Sequence, residues 1–156
     1  MKKRLLGIVV LVVLIVVAVV AFVTRNGTAQ DQSWGDPSTD PQKLMIPRWF
    51  LSGLILNGET IDLASVQISL QFTEDGQING NAGCNDYFAT YEAKQEGILT
   101  LGPAGATKMF CENGSVQENA YLTALSQVTQ FKTEQGQLIL TSNDGKTALT
   151  FSMPPK

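Results

Sequence analysis

The 156-residue chain contains no histidine. That absence removes Ser-His-Asp and Cys-His nucleophilic sites, histidine-ligated metals and the side chain that ordinarily titrates near neutral pH. Only two cysteines occur, Cys84 and Cys111. They are too few for a four-cysteine zinc site or an iron–sulfur cluster. Charge is sparse as well, at 16% of residues, and unevenly placed. Lys2, Lys3, Arg4 and Arg25 take four of the 11 bases, which leaves 7 bases against all 14 acids after Arg25, a formal charge of −7. A region that acidic lacks the electrostatic footprint of a nucleic-acid binder. No nucleic-acid partner, no metal and no cofactor are expected.

What the chain does have is one long apolar run. Residues 5–23 read LLGIVVLVVLIVVAVVAFV, without a charge. At 1.5 Å per residue such a helix is roughly 28 Å long, close to the hydrocarbon thickness of a bilayer. Three bases precede the run and Arg25 alone follows it closely, so the positive-inside bias puts the N-terminus in the cytoplasm. The expectation is a single-pass signal anchor in the cytoplasmic membrane, with the remainder outside. A cleaved signal peptide, cut near Gly27-Thr28-Ala29, is the competing reading. Residues 24–44 are polar and turn-rich, and read as a flexible tether. Residues 45–153 read as the folded domain.

Alternation dominates that domain. Val66, Ile68, Leu70 and Phe72 occupy every second position, the period of a half-buried strand. Turn signals at Glu74-Asp75-Gly76, Gln95-Glu96-Gly97, Glu134-Gln135-Gly136 and Asn143-Asp144-Gly145 separate short apolar or alternating runs, as in an antiparallel meander. One segment breaks the pattern. Ser115-Val116-Gln117-Glu118 fits a capping box, with Glu118 reaching back to the helix start. Val116, Ala120 or Tyr121, Ala124 or Leu125, and Val128 then recur at helical spacing, predicting a helix over 116–127 with that face inward. The class is α+β: mostly antiparallel sheet, curved or partly closed into a barrel, one packed helix, and the N-terminal transmembrane helix.

Outside the cytoplasm, two lone cysteines are most simply a Cys84–Cys111 disulfide. Two buried free thiols, or a soft-metal set of Cys84, Cys111 and Met109, are the alternatives, although Met109 alternates with Thr107 and Cys111 and also reads as a core residue. Around the cysteines lie Gly80-Asn81-Ala82-Gly83-Cys84-Asn85-Asp86-Tyr87 and Thr107-Lys108-Met109-Phe110-Cys111. The first resembles the G-x-x-G-C-N-x-[FY] signature of the META/HslJ domain family, and the second its T-x-M-x-C element. Trp49-x-Leu51, Ile68-x-Leu70-x-Phe72, Glu118, Leu125 and Gly136-Gln137-Leu138 match in order, so the resemblance covers about residues 49–151. It implies a small curved sheet with one helix in an extracytoplasmic bacterial protein. Relatives of this type are linked to heat shock and envelope stress.

The residues themselves read as structure first. Gly80 and Gly83 permit close approach or backbone conformations closed to other residues, and Asn85 can hold a turn. Read functionally, Asn81, Asn85, Tyr87 and Tyr91 are a candidate binding surface. Trp49 and Phe50 read as core. Three functions follow as expectations. The first is a non-enzymatic, membrane-tethered binding or structural module whose partner is an envelope protein or a small ligand. The second is a carrier of a small apolar ligand, such as a lipid, on the concave face of the sheet. The third, and weakest, is an enzyme using Glu74, Asp75, Asp86 or Glu92 as acid and base.

Overall fold

The computed structural model describes residues 37–46, 48–63, 66–110 and 115–153. The expected membrane anchor at 5–23, and Cys111 with it, lie outside the described residues. Among the described residues no helix is long and apolar enough to cross a membrane.

Among the described residues, ten strands and one α-helix form the domain. The strands are β1 (Trp49–Leu56), β2 (Glu59–Thr60), β3 (Ser69–Phe72), β4 (Gln77–Asn81), β5 (Asp86–Ala93), β6 (Leu99–Leu101), β7 (Gly105–Ala106), β8 (Gln130–Glu134), β9 (Gln137–Thr141) and β10 (Ala148–Ser152); the helix, α1, is Ser115–Gln127. All strand pairings are antiparallel. The sheet runs β6-β5-β4-β3-β1-β10-β9-β8, with β2 on β1 and β7 on β5. The two meanders, β3 to β6 and β8 to β10, are therefore joined by β1, which lies between β3 and β10. A bulge at Ser52, where the register slips between Leu51 and Gly53, bends β1 against β10. The two ends of the sheet meet where Ile98 bridges Gln130. Leu99 N–H donates to the Thr129 carbonyl at 2.9 Å and Phe131 N–H to that of Gly97 at 2.8 Å. The result is a nearly closed barrel, which leaves little exposed edge.

The predicted alternation is what fills it. Ile68, Leu70, Phe72, Ile78, Leu138, Leu140, Leu149 and Phe151 are all buried, as is Trp49. The four expected turns fall at their glycines. A fifth turn, Asn57-Gly58 between β1 and β2, has both central residues at positive φ, as a hairpin turn of this sequence requires. Helix α1 buries Tyr121, Ala124, Leu125 and Val128. Val116, expected on that face, is 85% exposed, and Gln117 is buried in its place and donates to the Val66 carbonyl at 3.1 Å.

The tether expectation needs correction at its C-terminal end. Ser38 exchanges two backbone hydrogen bonds with Thr133, at 2.8 and 2.7 Å, so the chain lies along β8. The Thr39 hydroxyl donates to the Gln95 carbonyl. Asp40 caps a 3₁₀ turn over Pro41–Leu44, and Leu44 is fully buried while its carbonyl accepts the Trp49 indole N–H at 3.0 Å. Polar composition suggested a free linker here. Paired backbone and one well-placed leucine make it a strap across the barrel seam instead.

Candidate functional site

The signature residues come together where β4 turns into β5. Gly80 faces the Ser69 carbonyl so closely that a Cβ there would lie 1.9 Å from its oxygen. Only glycine lets the strands pass at that separation. The turn itself is built by Asn81, whose Oδ1 accepts the Gly83 N–H at 2.9 Å, and by Gly83 at φ +102°, a backbone conformation that disfavours a side chain. Ala82 N–H closes the turn on the Asn85 carbonyl at 2.8 Å.

Asn85 is the hub. It is 4% exposed, and every polar atom of it is engaged. Its Oδ1 accepts from the Thr107 hydroxyl at 2.8 Å and from Met109 N–H at 2.6 Å. Its Nδ2 donates to the Glu118 carboxylate at 3.0 Å and to the Met109 carbonyl at 3.3 Å. Its backbone N–H donates to Glu118 Oε2 at 2.7 Å. One amide thus clasps three pieces of chain: the β4–β5 turn, the segment after β7, and the first turn of α1. Glu118 does not serve as the expected capping-box partner. Its carboxylate reaches across to Asn85, still near the positive end of the helix. Cys84 Sγ lies 3.6 Å from the Met109 carbonyl oxygen, and among the described residues there is no free cysteine.

A buried tyrosine pair sits beneath the clasp. Tyr87 donates its hydroxyl to the Ser69 carbonyl at 3.0 Å and meets the Tyr121 hydroxyl at 2.6 Å. Burial pushes both phenols well above their ordinary pKa. Tyr91, half-buried against Phe72, bonds the Thr73 carbonyl at 3.0 Å, and its pKa is also raised, by burial and then by nearby Asp75.

The four residues expected to share a binding surface therefore have different places. Asn85 and Tyr87 are buried, Tyr91 packs at the β3–β4 turn, and Asn81 stands on the outer face. There it lines an open cleft of about 330 Å³ with Arg48, Asn79 and Asp86, floored by Ser69 and Tyr87. Arg48 and Asn79 went unnoticed in the sequence, where nothing around them signals a site. Asp86 has one oxygen bonded to Asn81 Nδ2 at 2.9 Å. The other carboxylates singled out have local roles: Asp75 ties the Thr73–Gln77 turn and Glu92 pairs with Lys94 on the surface. Among the described residues no three of Cys, Asp and Glu converge to hold a metal.

Apolar surface is also uneven. Met109, expected to face inward, is 59% exposed, because Asn85 binds its backbone and turns its side chain out; Phe110 beside it is 92% exposed. The concave interior, expected as the seat of any lipid, is filled by Trp49, Leu70, Ile78, Tyr121 and Phe151 packed on one another. An apolar cleft of about 230 Å³ lies between α1 and the loop after β6, lined by Ala89, Leu101, Pro103 and Leu125.

The comparisons with known proteins agree with this architecture. A protein from Burkholderia xenovorans, solved by NMR, is 29% identical and superposes with a TM-score of 0.61 over 78% of this chain and 92% of its own. A crystal structure of a DUF4847 family protein from Bacteroides vulgatus ATCC 8482 is 12% identical, with a TM-score of 0.57 over 74% of this chain and 97% of its own. At that identity the likeness is one of fold. A further NMR structure is 22% identical, covers 73% of this chain and 94% of its own, and superposes at 0.55. No curated protein matches the sequence. The family model described as the META domain matches residues 42–154, the strap's 3₁₀ turn and the whole barrel. The chain belongs to the META domain family.

Proposed function

We propose that the chain is a non-enzymatic binding module, held outside the cytoplasmic membrane on its N-terminal apolar segment and engaged with an envelope component. The observation that carries this reading is the Asn85 clasp. The polar groups of the family signature bond one another, so their duty is to hold three chain segments in register. Groups with unused bonding capacity stand apart from them, on the outer face. A Cys84–Cys111 disulfide belongs to the same reading: Cys84 Sγ already touches the carbonyl of Met109, two residues before Cys111. Such a bond would close a loop of about 27 residues and add roughly 3–4 kcal/mol in the chain-entropy model. The link to heat shock and envelope stress rests on the family resemblance.

The test is in-cell crosslinking of the full chain, read by mass spectrometry, beside a control that keeps residues 1–36 and replaces everything after them. The module reading expects one envelope component recovered only with the intact domain. Identical recovery from both chains overturns it. Protease added to sealed spheroplasts tests the topology, with the domain cleaved from outside as the expected outcome.

A further inference from the structure

The outer cleft beside the β4–β5 turn has features that the module reading leaves unexplained. Its two charged members face the same space without pairing. Arg48 is exposed, and among the described residues it makes no ion pair and no side-chain hydrogen bond. Asp86 is exposed too, and only its Oδ1 is engaged, by Asn81. The Asn79 amide, half-buried between them in the lining, has neither donor nor acceptor taken. The walls are stiff. Asn81 is fixed at both ends of its amide, by Gly83 and Asp86, and the Asn81 N–H donates to Ser69 Oγ at 3.2 Å. Gly80 is wedged against the Ser69 carbonyl. Groups held this way lose little freedom when a ligand arrives.

We propose that this cleft binds a small zwitterion carrying a carboxylate and an ammonium group, of the kind offered by an amino acid or a short peptide. The guanidinium of Arg48 matches a carboxylate through two parallel N–H donors. The free Asp86 oxygen accepts from an ammonium, and Asn79 serves whichever polar group lies between. Two competing ligand classes fit less well. The domain around Arg48 is strongly acidic, with 7 bases against 14 acids after Arg25, so a polyanion is repelled where a net-neutral ligand is not. A sugar is ordinarily held by an aromatic face, and the one ring lining the cleft, Tyr87, is buried with its hydroxyl bonded to Ser69. The inference rests on the binding-module reading and names a ligand for it.

The experiment is saturation-transfer NMR on the full chain in phosphatidylcholine nanodiscs, with glycylglycine as the probe and acetate, methylammonium and glucose for comparison. A saturable glycylglycine signal is expected by about 20 mM, in the range where few polar contacts suffice. R48Q and D86N should each reduce it about fivefold or more while keeping the wild-type melting temperature, since neither side chain is buried and Asn at 86 retains an acceptor for Asn81. Absence of signal at that concentration, equal signals from the variants, or glucose binding as strongly as glycylglycine would each overturn the proposal. Its failure is separable from that of the module reading. A chain that still captures its envelope component but ignores glycylglycine sinks the zwitterion alone.

Discussion

Asn85 and Asp86 are neighbours in the chain and opposites in surroundings. Asn85 is buried and has every polar atom bonded inside the protein, to partners as far away as Glu118. Asp86 is exposed, is tied by a single oxygen, and opens on a cleft. Asn85 ends the β4–β5 turn with its side chain inward, and Asp86 begins β5 with its side chain outward. The lesson is that one short motif carries two duties: the inward positions fix the fold, and the outward ones remain free to meet something else.

Substitutions can break or sharpen this contrast. The largest effect is expected at Gly80. Gly80→Ala would force backbone apart at Ser69, and should lower stability by about 3 kcal/mol or more in urea unfolding, as overpacking against an immovable partner does. A wild-type midpoint would mean the strands at the cleft can separate freely. Asn85→Ala comes next, at about 2 kcal/mol, because it takes from the Thr107 hydroxyl and Met109 N–H their shared acceptor and leaves the Glu118 carboxylate only the backbone N–H at a half-buried joint. Asn85→Asp sets two carboxylates against each other instead. Its loss should be greatest at neutral pH and shrink as the sample is acidified and one of them takes a proton. A loss that does not vary with pH would remove Glu118 from the clasp.

The tyrosine pair should respond no more strongly. Tyr87→Phe orphans the Ser69 carbonyl and should cost about 2 kcal/mol; Tyr121→Phe leaves that bond intact and should cost about 1 kcal/mol. Both phenols titrate higher in the folded state than in the unfolded chain. Their contribution is therefore complete below about pH 10 and is lost as pH rises beyond it, when only the unfolded chain gives up the protons. Tyrosine absorbance at 295 nm should rise together with loss of the circular dichroism signal. Ionisation of these two hydroxyls ahead of unfolding would contradict their burial. The smallest effect belongs to Asp86→Asn, which should change stability by no more than about 0.5 kcal/mol. A large loss there would erase the contrast with Asn85.

Most of the barrel was legible because strand period and turn chemistry are local. Ile68, Leu70 and Phe72 declare a strand by their spacing alone, and the four glycine turns declare the hairpins around it. What escaped depends on distant partners. Glu118 sits where a capping box predicts it, yet Asn85, 33 positions away, competes for its carboxylate and wins. Val116 keeps the helical spacing of the apolar face but stands exposed at the helix start, where Gln117 is the residue buried and bonded to Val66. Asn85 looked like a turn residue, and its partners at 107 and 109 become visible only once β7 is laid beside β5. The cleft escaped for the same reason, since Arg48 and Asp86 belong to different strands' ends and share no motif.

The strap gives the barrel a defined point of mechanical loading. Among the described residues, load from the N-terminal side meets Ser38 before Leu44, and two hydrogen bonds hold Ser38 to Thr133 at the sheet's end. It reaches the buried Leu44 and the Trp49 indole only after those bonds have parted. Tension is thus taken up at the seam between β6 and β8, the weakest-paired line of the barrel, while the clasp and the cleft lie elsewhere along the strand order. Load on that side would slacken the seam before it disturbed the clasp or the cleft.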